Sequence, residues 1–364
     1  MKIVAYRKVP PTWDECLLTS FKCSGFFQTS FWANLSQRLL GAKPMYLELI
    51  DGDRYCASLM LIHRSPQTLL KKVLDIIFRS KQSFLEFSDG PNFIDTSNCT
   101  HFLPKFLKWI DDYAFINGVG KIVTNGFPIT SNYLHSHELL QIYESFGYET
   151  SSWATFLVNL NQSEEELNKN IAHSTRKQIN KAKRQGVIVR RINSFQEYEK
   201  MFYIPYYKYK EARGEKVFPL ETAELMWKMD INGVFYTHYI ASDEHNETLA
   251  TLGVYHFAGT ATEITSCLTE RAYSMKIPAQ DILHWQVMLD MKQMGCHTFD
   301  LAGVNPAPIN QKEEGIRRFK EKWGGKYVEY KRYTKEFPST SILFNILRNG
   351  NRILTKIKSS KIKA

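Results

Sequence analysis

Apolar residues recur at helical spacing in the segment that begins at Pro278. Ile282 and Trp285 belong to this pattern and Gly295 ends it, which predicts a helix with proline in its first turn. The short apolar run HTFDLAG follows and predicts a buried strand with a single carboxylate, Asp300. A short basic helix over GIRRFKEKWGG and a strand over KYVEY complete a unit of helix, strand, helix and strand.

The same order of elements is predicted earlier in the chain, over FLKWIDDYAFING, VGKIVTNG and LLQIYESFGYET. Three glycine pairs and one aromatic pair recur at a constant offset of 177 positions: Gly118 and Gly295, Gly126 and Gly303, Gly147 and Gly324, and Phe146 and Trp323. Several matches at one offset are hard to obtain by chance. The sequence therefore predicts two copies of one α/β unit.

Alternating apolar and polar residues elsewhere predict antiparallel hairpins. One hairpin turns at Asp51 and Gly52, a second turns at the polar run SDEHNET, and WATFLVNL is a strand that links the two halves. The run SEEELNKNIAHSTRKQINKAKRQG is predicted as one helix, which a capping box at Ser163 and Glu166 opens and Gly186 closes. These elements predict an α/β (α+β) fold with mainly antiparallel twisted sheets flanked by helices.

Length and composition agree with two domains. The chain has 364 residues, whereas one domain usually has about 100–200. Hydrophobic residues make up 43% of the chain and charged residues 23%, as in an ordinary globular protein. We expect a first unit at residues 1–152, a second and catalytic unit at 153–335, and a basic amphipathic tail at 336–364.

The cysteines and the amino terminus predict a cytoplasmic location. The six cysteines are scattered, without a CxxC pair, and fit reduced thiols better than a disulfide framework or a zinc site. No signal peptide is evident, and no apolar run approaches the roughly 20 residues that cross a bilayer. A cytoplasmic protein, or one peripheral at the inner face of the membrane, is the expectation.

The carboxyl-terminal tail is basic and amphipathic. It contains six basic and no acidic residues between Phe337 and Ala364, within a chain of net charge +10. Leu343, Ile346 and Leu347 begin an apolar stripe at helical spacing. Such a helix binds an anionic membrane surface or packs on the domain that precedes it, and the pattern leaves both alternatives open.

Two segments have the composition of anion-binding sites. The turn TERAYSMKIPAQ leads into the amino end of the Pro278 helix, where free amide groups attract a phosphate or an acyl carbonyl. The basic helix around Arg176 is suited to the phosphates of a tRNA or of a nucleotide-linked substrate, and its alternative is a solvated basic face. The candidate substrate-binding residues of these segments are Arg176, Lys177, Lys181, Ser274, Lys276 and Gln280.

Asp300 is a candidate for chemistry, because a buried carboxylate in an apolar strand costs several kcal/mol unless it is paired, so it is either paired or functional. The alternative to function is a buried ion pair with a neighbouring Arg or Lys. His256 and His284 are single histidines on apolar elements and are interpreted as satisfied core residues. The sequence has no HExxH, P-loop or GxGxxG motif, so we expect no metal and no redox cofactor.

Four segments resemble, in their order along the chain, the Fem-type (FemABX-like) aminoacyltransferases and their GNAT-like acyltransferase relatives. They are STRKQINKAKRQGV, YKEARG, GCHTFDLAG and GIRRFKEKWGGKYVEY. The resemblance covers most of residues 150–335 and implies two tandem GNAT-like units. It further implies transfer of an aminoacyl group from aminoacyl-tRNA to an amine of a nucleotide- or lipid-linked precursor of peptidoglycan or of another cell-envelope polymer.

One departure from the family pattern leaves the donor open. Several cross-bridge enzymes carry a long coiled-coil insertion, and nothing between Arg213 and Val234 is able to form it. An acyl-CoA-dependent N-acyltransferase that acts on an amino sugar or a surface-polysaccharide precursor is therefore the alternative. A non-catalytic RNA- or glycan-binding module is the third interpretation.

The resemblance also implies roles for individual residues. Lys320 matches the lysine of the family motif and is expected to stabilise developing negative charge, with Asp300 as the second catalytic residue. The residue types themselves predict that Tyr206 and Tyr209 lie in the core or in a cleft wall and that Arg213 binds a phosphate in a bidentate manner. These three residues and Trp323 are candidate substrate-binding residues. The expected reaction is direct attack by an amine on an activated ester or thioester. The donor is then a co-substrate, and no tightly bound cofactor is implied.

Overall fold

The computed structural model describes residues 1–21, 24–65, 83–126, 128 and 137–337. The chain forms two compact units: unit 1 holds Met1–Trp153 and the residues from Glu329 onward, and unit 2 holds Ala154–Val328. Nearly all of the predicted tail, residues 338–364, lies outside the described residues. Within the described part of the chain, no helix combines the length and the hydropathy that crossing a bilayer requires.

Unit 1 is built on one mixed and mostly antiparallel sheet. The strand order is β1, β2, β3, β4, β6 and β13, with β5 paired to β3. Only β4 and β6 run parallel, because the helical crossover between them reverses the chain direction twice. The strands are β1 Lys2–Tyr6, β2 Lys43–Asp51, β3 Arg54–Arg64, β4 Phe84–Glu86, β5 Asn92–Phe93, β6 Lys121–Asn125 and β13 Lys326–Glu336.

Helices bury their apolar faces on this sheet. Phe106, Leu107, Ile110 and Ala114 of one 18-residue helix are fully buried in the same core cluster as β2, β3 and β6. Gly41 ends another helix in the left-handed conformation, with φ of 59°, a geometry that glycine adopts without steric cost. The helices of unit 1 are α1 Trp13–Thr19, α2 Ser30–Leu40, α3 Cys99–Ile116 and α4 His137–Ser145.

The strands of unit 2 are mostly antiparallel and follow the order β7, β12, β11, β10, β9 and β8. Here β11 and β12 are the parallel pair. The predicted hairpin with its turn at SDEHNET is formed by β9 and β10. The strands are β7 Glu149–Asn159, β8 Ile188–Arg191, β9 Tyr236–Ser242, β10 Thr248–Phe257, β11 Thr260–Leu268 and β12 Thr298–Asp300.

Helices cover both faces of the strands of unit 2. Tyr239 and Ala241 of β9 join the core cluster that contains the helix after Pro278, whereas Ile240 between them joins an aromatic cluster. Successive strand residues point to opposite faces, so both faces are buried. The helical segments are α5 Glu164–Asn170, α6 His173–Arg184, α7 Phe195–Glu197, a π-helical turn Tyr198–Tyr203, α8 Ile204–Glu211, α9 Leu220–Met229, α10 Glu270–Ser274, α11 Ala279–Gln293 and α12 Gln311–Glu321.

The prediction of one helix from Ser163 to Gly186 is wrong, because the chain breaks between α5 and α6. Ile171 and Ala172 have ψ of 143° and 138°, outside the helical range. The amide of Ala172 donates to the carbonyl oxygen of Lys322 at 2.9 Å. The predicted capping box at Ser163 is present. The break is therefore a tertiary effect, since a contact with a distant segment replaces a helical hydrogen bond.

The predicted repeat is present as a repeat of elements. β6 and β12 begin 177 positions apart, at Lys121 and Thr298, and β7 and β13 begin and end 177 positions apart. The two closing strands are exchanged between the copies, however. β12 pairs with β7 at Leu157 to Asn159, and β6 pairs with β13 at Arg332 to Glu336. In each copy, the strand before the closing strand thus pairs with the closing strand of the other copy.

The exchange explains a difference from the predicted division of the chain. Residues 329–335 were expected in the second unit, and they cluster with unit 1 because they pair with β6.

The helix predicted to be interrupted at Pro205 instead changes type there. A π-helical turn runs directly into α8, and Pro205 lies in the first turn of α8. Pro205 has no amide hydrogen for the carbonyl oxygen of Met201, four residues earlier. That oxygen instead accepts a hydrogen bond from the hydroxyl of Thr248 at 2.9 Å.

Candidate functional site

The two parallel strands of unit 2 separate at the carboxyl end of β12. β11 pairs with β12 only from Thr260 to Thr262 and then continues to Leu268. A β-bulge lies in the separated part, because Gly253 of β10 pairs with Thr265 while the next residue, Val254, pairs with Glu263. Bulges redirect side chains and are frequent next to active sites. The gap is the candidate functional site.

Asp300 ends β12 at this gap and is 5% exposed. Its Oδ1 accepts a hydrogen bond from the amide of Ala302 at 2.8 Å and another from the hydroxyl of Thr155. Burial raises the pKa of this carboxyl, while Thr155, Ala302 and the charge of Lys320 oppose the rise. Asp300 makes no ion pair closer than 4 Å with any described residue, so the interpretation as a structural ion pair is not supported.

Lys320 projects from the last turn of α12 toward the same peptide segment. Its Nζ donates to the carbonyl oxygens of Ala302 at 3.2 Å and Gly303 at 3.1 Å. Burial lowers the pKa of this amine, and the charges of Glu263 and Asp300 oppose the decrease. Ala302 has a positive φ of 62°, a conformation that non-glycine residues adopt at some cost and that clusters at functional sites. The structure thus brings the two predicted catalytic residues to one strained peptide segment.

Glu263 and His284 form a buried pair next to these groups. His284 is fully buried, and its Nδ1 lies 2.9 Å from the carbonyl oxygen of Gln280. A carbonyl oxygen only accepts, so Nδ1 carries a proton. Nε2 lies 3.1 Å from Oε2 of Glu263, and a hydrogen bond here requires one more shared proton.

With that shared proton the pair is electrically neutral, as imidazolium with carboxylate or as imidazole with carboxylic acid. The burial of Glu263 alone would raise its pKa, but His284, Lys320 and Ser266 hold the pKa of this carboxyl below its ordinary value. His284 is a satisfied core histidine as predicted from the sequence, and it also binds a buried glutamate that the sequence interpretation missed. Because the pair of Glu263 and His284 has no net charge, the carboxylate of Asp300 and the ammonium group of Lys320 are the two groups of opposite charge at the site.

Aromatic packing fixes the position of His284. The ring of Trp323 stacks on it with centroids 5.4 Å apart, and Phe319 contacts it edge-on at 5.1 Å. Trp323 is 1% exposed, so its side chain supports the site from the core. Lys322 forms an ion pair with Asp281 in the first turn of α11, which places a carboxylate at the positive end of that helix.

The predicted basic residues of α6 have different environments. Arg176 Nη1 donates to the carbonyl oxygens of Asn168, Lys169 and Ile171 at 2.8 to 3.1 Å. Lys177 is exposed. Lys181 Nζ donates to the carbonyl oxygen of Lys276 at 2.9 Å. The structure therefore brings Lys181 to the predicted anion-binding turn, whereas Arg176 caps the carbonyl end of α5.

We expect Arg176→Ala to lower the free energy of unfolding by about 1–2 kcal/mol, because it leaves three helix-terminal carbonyl groups without their charged donor. Urea denaturation measures this change. Lys177→Ala, at an exposed neighbouring position, is the matched control and should leave stability unchanged. Equal midpoints for Arg176→Ala and the wild-type protein would leave phosphate binding, the role predicted from the sequence, as the main role of Arg176.

The remaining predicted substrate residues lie around α8 and α10. Tyr206 is 9% exposed, which makes it a core residue. Tyr209 and Arg213 line a groove beside α10, and the guanidinium of Arg213 lies 3.7 Å above the ring of Tyr209. Ser274, the last residue of α10, and Lys276, in the turn that follows it, are both exposed. Gln280 is half-buried, with its side-chain Nε2 3.3 Å from His284 Nδ1.

Two further features limit the chemistry of the site. Burial raises the pKa of the Cys267 thiol to about 11, so this residue is a thiol at neutral pH and a poor nucleophile. Among the described residues, no group of three or more His, Cys, Asp and Glu side chains is arranged to hold a metal ion. Asp300 and Lys320, next to the neutral pair of Glu263 and His284, are the candidate groups for chemistry at the gap.

Solved structures share this fold. FemX superimposes with a TM-score of 0.72 at 12% sequence identity, over 95% of this chain and 100% of that chain. L-PGS from Bacillus licheniformis gives 0.56 at 12% identity over 94% and 97% of the two chains. A tandem GNAT protein from the clavulanic acid biosynthesis pathway gives 0.51 at 10% identity over 92% and 98%.

No protein-family model and no curated protein sequence matches this chain. At these low identities the structural similarity establishes the fold, which is Fem/GNAT-like. The predicted fold class, a mixed α/β protein with mostly antiparallel sheets and flanking helices, is confirmed for the described residues. The predicted basic helix of the tail lies outside them.

Proposed function

We propose that this protein is an acyltransferase that moves an aminoacyl group from aminoacyl-tRNA to an amine of a peptidoglycan or other cell-envelope precursor. The main support is the convergence of Asp300 and Lys320 on the peptide at Ala302, in the gap between β11 and β12 of a GNAT-like fold. A buried carboxylate and a half-buried ammonium group, each with a shifted pKa, are suited to the acylation of an amine.

Lys320 is suited to stabilise the oxyanion of the reaction. Its ammonium group has three N–H donors, and two of them bond the carbonyl oxygens of Ala302 and Gly303. The third is available for the carbonyl oxygen of the acyl group as negative charge develops on it. A donor held in place by the protein acts without reorganisation during the reaction.

Asp300 is suited to take the proton of the attacking amine. One of its oxygens, Oδ1, accepts the bonds from Thr155 and Ala302, while Oδ2 has no hydrogen bond from a described residue. The amine nitrogen forms a bond with the acyl carbon, the bond from that carbon to the ester oxygen breaks, and the amine proton passes to Asp300. The departing oxygen then takes this proton, which restores the carboxylate.

The groove beside α10 supports a donor that carries phosphates. Basic and aromatic side chains line it, including Lys200, Lys208, Tyr209, Arg213, Arg271 and Tyr273. Tyr273 is 72% exposed, and exposed aromatic rings stack on the bases of single-stranded nucleic acid. The same combination also suits the nucleotide part of coenzyme A.

Acyl-CoA is the second candidate donor because of what lies between Arg213 and Val234. The described chain forms only the ten-residue helix α9 there, not the coiled-coil insertion of several cross-bridge enzymes. Under this alternative the protein is an N-acyltransferase for an amino sugar or a surface-polysaccharide precursor. A binding module without activity is the third candidate.

A filter-transfer assay distinguishes these functions. Radiolabelled aminoacyl-tRNA and acetyl-CoA are each offered with amino-sugar and peptidoglycan-precursor acceptors, with Asp300→Asn protein as the inactive control. We expect label on the acceptor only with aminoacyl-tRNA. Transfer only from acetyl-CoA would support the alternative donor, and binding of RNA or glycan without any transfer would support the binding module.

A further inference from the structure

A second cavity of unit 2 lies on the face of the sheet that carries Ile240. It has a volume of about 160 Å³ and is bounded by β8, β9, the π-helical turn and α9. A cavity of this size with apolar walls accommodates a benzene-sized group. Its lining includes Arg191, Tyr198, Phe218, Trp227, His238 and Ile264.

The walls of this cavity are aromatic and mostly uncharged. Tyr198 and Trp227 lie 5.5 Å apart between ring centroids, and the ring of His238 contacts that of Tyr198 at 4.7 Å. Burial and the nearby charge of Arg191 lower the pKa of His238 to about 3, so this imidazole is neutral at physiological pH. The walls therefore select an apolar or aromatic group.

Arg191 is the unpaired charge of the cavity. Its only hydrogen bond from the side chain to a described residue is a long one, 3.4 Å from Nη2 to the carbonyl oxygen of Gly233, and no described carboxylate lies within ion-pair distance. A guanidinium group has five N–H donors. The neighbouring Arg190, in contrast, forms an ion pair with Glu197.

The one carboxylate that lines the cavity, that of Asp230, already accepts hydrogen bonds from the backbone. Asp230 accepts hydrogen bonds from the amides of Val234, Phe235 and Tyr236 at 2.6 to 2.9 Å, so it serves the turn before β9. A half-buried guanidinium with unused donors beside aromatic walls is satisfied by an anionic group on a ligand. This charge pattern disfavours a cationic ligand, although aromatic walls alone would suit one.

The cavity reaches the strand that carries Glu263. Ile264 and Thr265, which form the β-bulge directly after Glu263, both line it. Both residues belong to the part of β11 that continues beyond its pairing with β12.

We propose that this cavity binds the acyl acceptor, and that the acceptor carries an apolar or aromatic body and a carboxylate that pairs with Arg191. The assignment to the acceptor depends on the acyltransferase function, whereas the chemistry of the bound group does not. An amino acid or peptide end with an apolar side chain has this combination of groups and also supplies an amine.

Binding is tested with two probes of equal shape, 3-phenylpropionate and its neutral amide, 3-phenylpropionamide. Titration calorimetry measures both on the full chain, and quenching of tryptophan fluorescence gives a second readout. The wild-type protein should bind the carboxylate at least about tenfold more tightly than the amide, as expected for a hydrogen-bonded charge pair. Equal affinities for the two probes, or no binding of either, would overturn the proposal.

Variants of Arg191 test whether this residue binds the carboxylate of the probe. Arg191→Met should remove the preference for the carboxylate and leave the affinity for the amide unchanged, which also shows that the cavity remains folded. Arg191→Lys should retain part of the preference. Arg184→Met, at an exposed arginine of α6 that does not line the cavity, is the matched control and should retain all of it. A preference that persists in Arg191→Met would contradict the assignment of Arg191.

The acceptor role is tested separately, in the transfer assay. Phenylalanine should accept the acyl group at least about tenfold faster than phenylalaninamide, because it retains the pair with Arg191. Equal rates would overturn the acceptor assignment. Carboxylate binding without transfer to any acceptor would support the binding chemistry of the cavity and contradict the acyltransferase function.

Discussion

Lys320→Ala is expected to lower kcat/KM for acyl transfer by about 10²–10³, the usual effect of removing one preorganised donor at an oxyanion. The fold should remain intact, because the side chain bonds two carbonyl oxygens at the rim of the site and makes no ion pair closer than 4 Å with a described residue. Steady-state transfer kinetics measure the change, with circular dichroism as the check on folding.

Lys312→Ala is the matched control for Lys320→Ala. Lys312 lies on the same helix, is 72% exposed and pairs with Glu215, and surface pairs of this kind contribute little. Its activity should equal that of the wild-type protein. Activity of Lys320→Ala within about threefold of wild type would exclude Lys320 from the catalytic site.

Asp300→Asn is expected to lower kcat by about 10²–10⁴, the contribution of a general base. Asparagine keeps the size of the side chain and its oxygen still accepts the hydrogen bonds from Thr155 and Ala302, but it takes no proton from an amine. In the wild-type protein, the pH profile of activity should be limited at low pH by protonation of Asp300 and at high pH by deprotonation of Lys320. Burial raises the pKa of Asp300 and lowers that of Lys320, so the active pH range should be narrower at both ends than for exposed groups.

The same substitution should raise the free energy of unfolding at neutral pH. The pKa of Asp300 is higher in the folded protein than its ordinary value of 3.8, so the folded state binds the proton more tightly than the unfolded state does. Stability therefore decreases as the pH rises through the interval between the unfolded and folded pKa values. Above it, the buried carboxylate costs free energy that asparagine does not.

Denaturant unfolding of the two proteins at pH 4 and pH 7 measures this effect. Thr155→Val, which removes one hydrogen bond to the carboxylate and leaves its charge, is the comparison variant and should be less stable than wild type at pH 7. A large loss of stability in Asp300→Asn would instead identify a structural carboxylate. Wild-type activity in that variant would remove Asp300 from the mechanism.

Part of the site follows directly from the sequence. Asp300 is conspicuous because it is the single carboxylate of a short apolar strand, and the cost of burying it predicts a partner or a function. The same reasoning applies to Glu263, which lies between Thr262 and Ile264 in a strand of β-branched residues. Threonines are compatible with a solvated strand face, so the sequence alone does not show that Glu263 is buried. In the structure Glu263 is 8% exposed.

Features that depend on contacts between distant segments were not predictable. Nothing in the local sequence around Ile171 ends a helix, since the break follows from the hydrogen bond between Ala172 and Lys322. Likewise Arg176 matches a binding motif, and only the structure shows that its guanidinium bonds the last carbonyl groups of α5. Charge patterns predict an available cation but not the group that it contacts.

The exchange of closing strands was also invisible in the sequence. β7 and β13 occupy equivalent positions of the repeat and are both 11 residues long, so their lengths do not show which strand each of them pairs with. Only the pairing registers show that Asn125 of β6 lies opposite Arg332. The sequence therefore predicts the repeat of elements but not the pairing of its closing strands.

This exchange determines when unit 1 is able to fold during synthesis on the ribosome. Its edge at β6 stays open until Arg332 emerges, about 200 residues after Asn125, so the nascent chain carries an open strand edge while those residues are synthesised. Open strand edges are sites of misassembly. We infer that the amino-terminal unit of this protein reaches its native state only after β13 has been synthesised, and that a translational pause before β13 would expose it to aggregation.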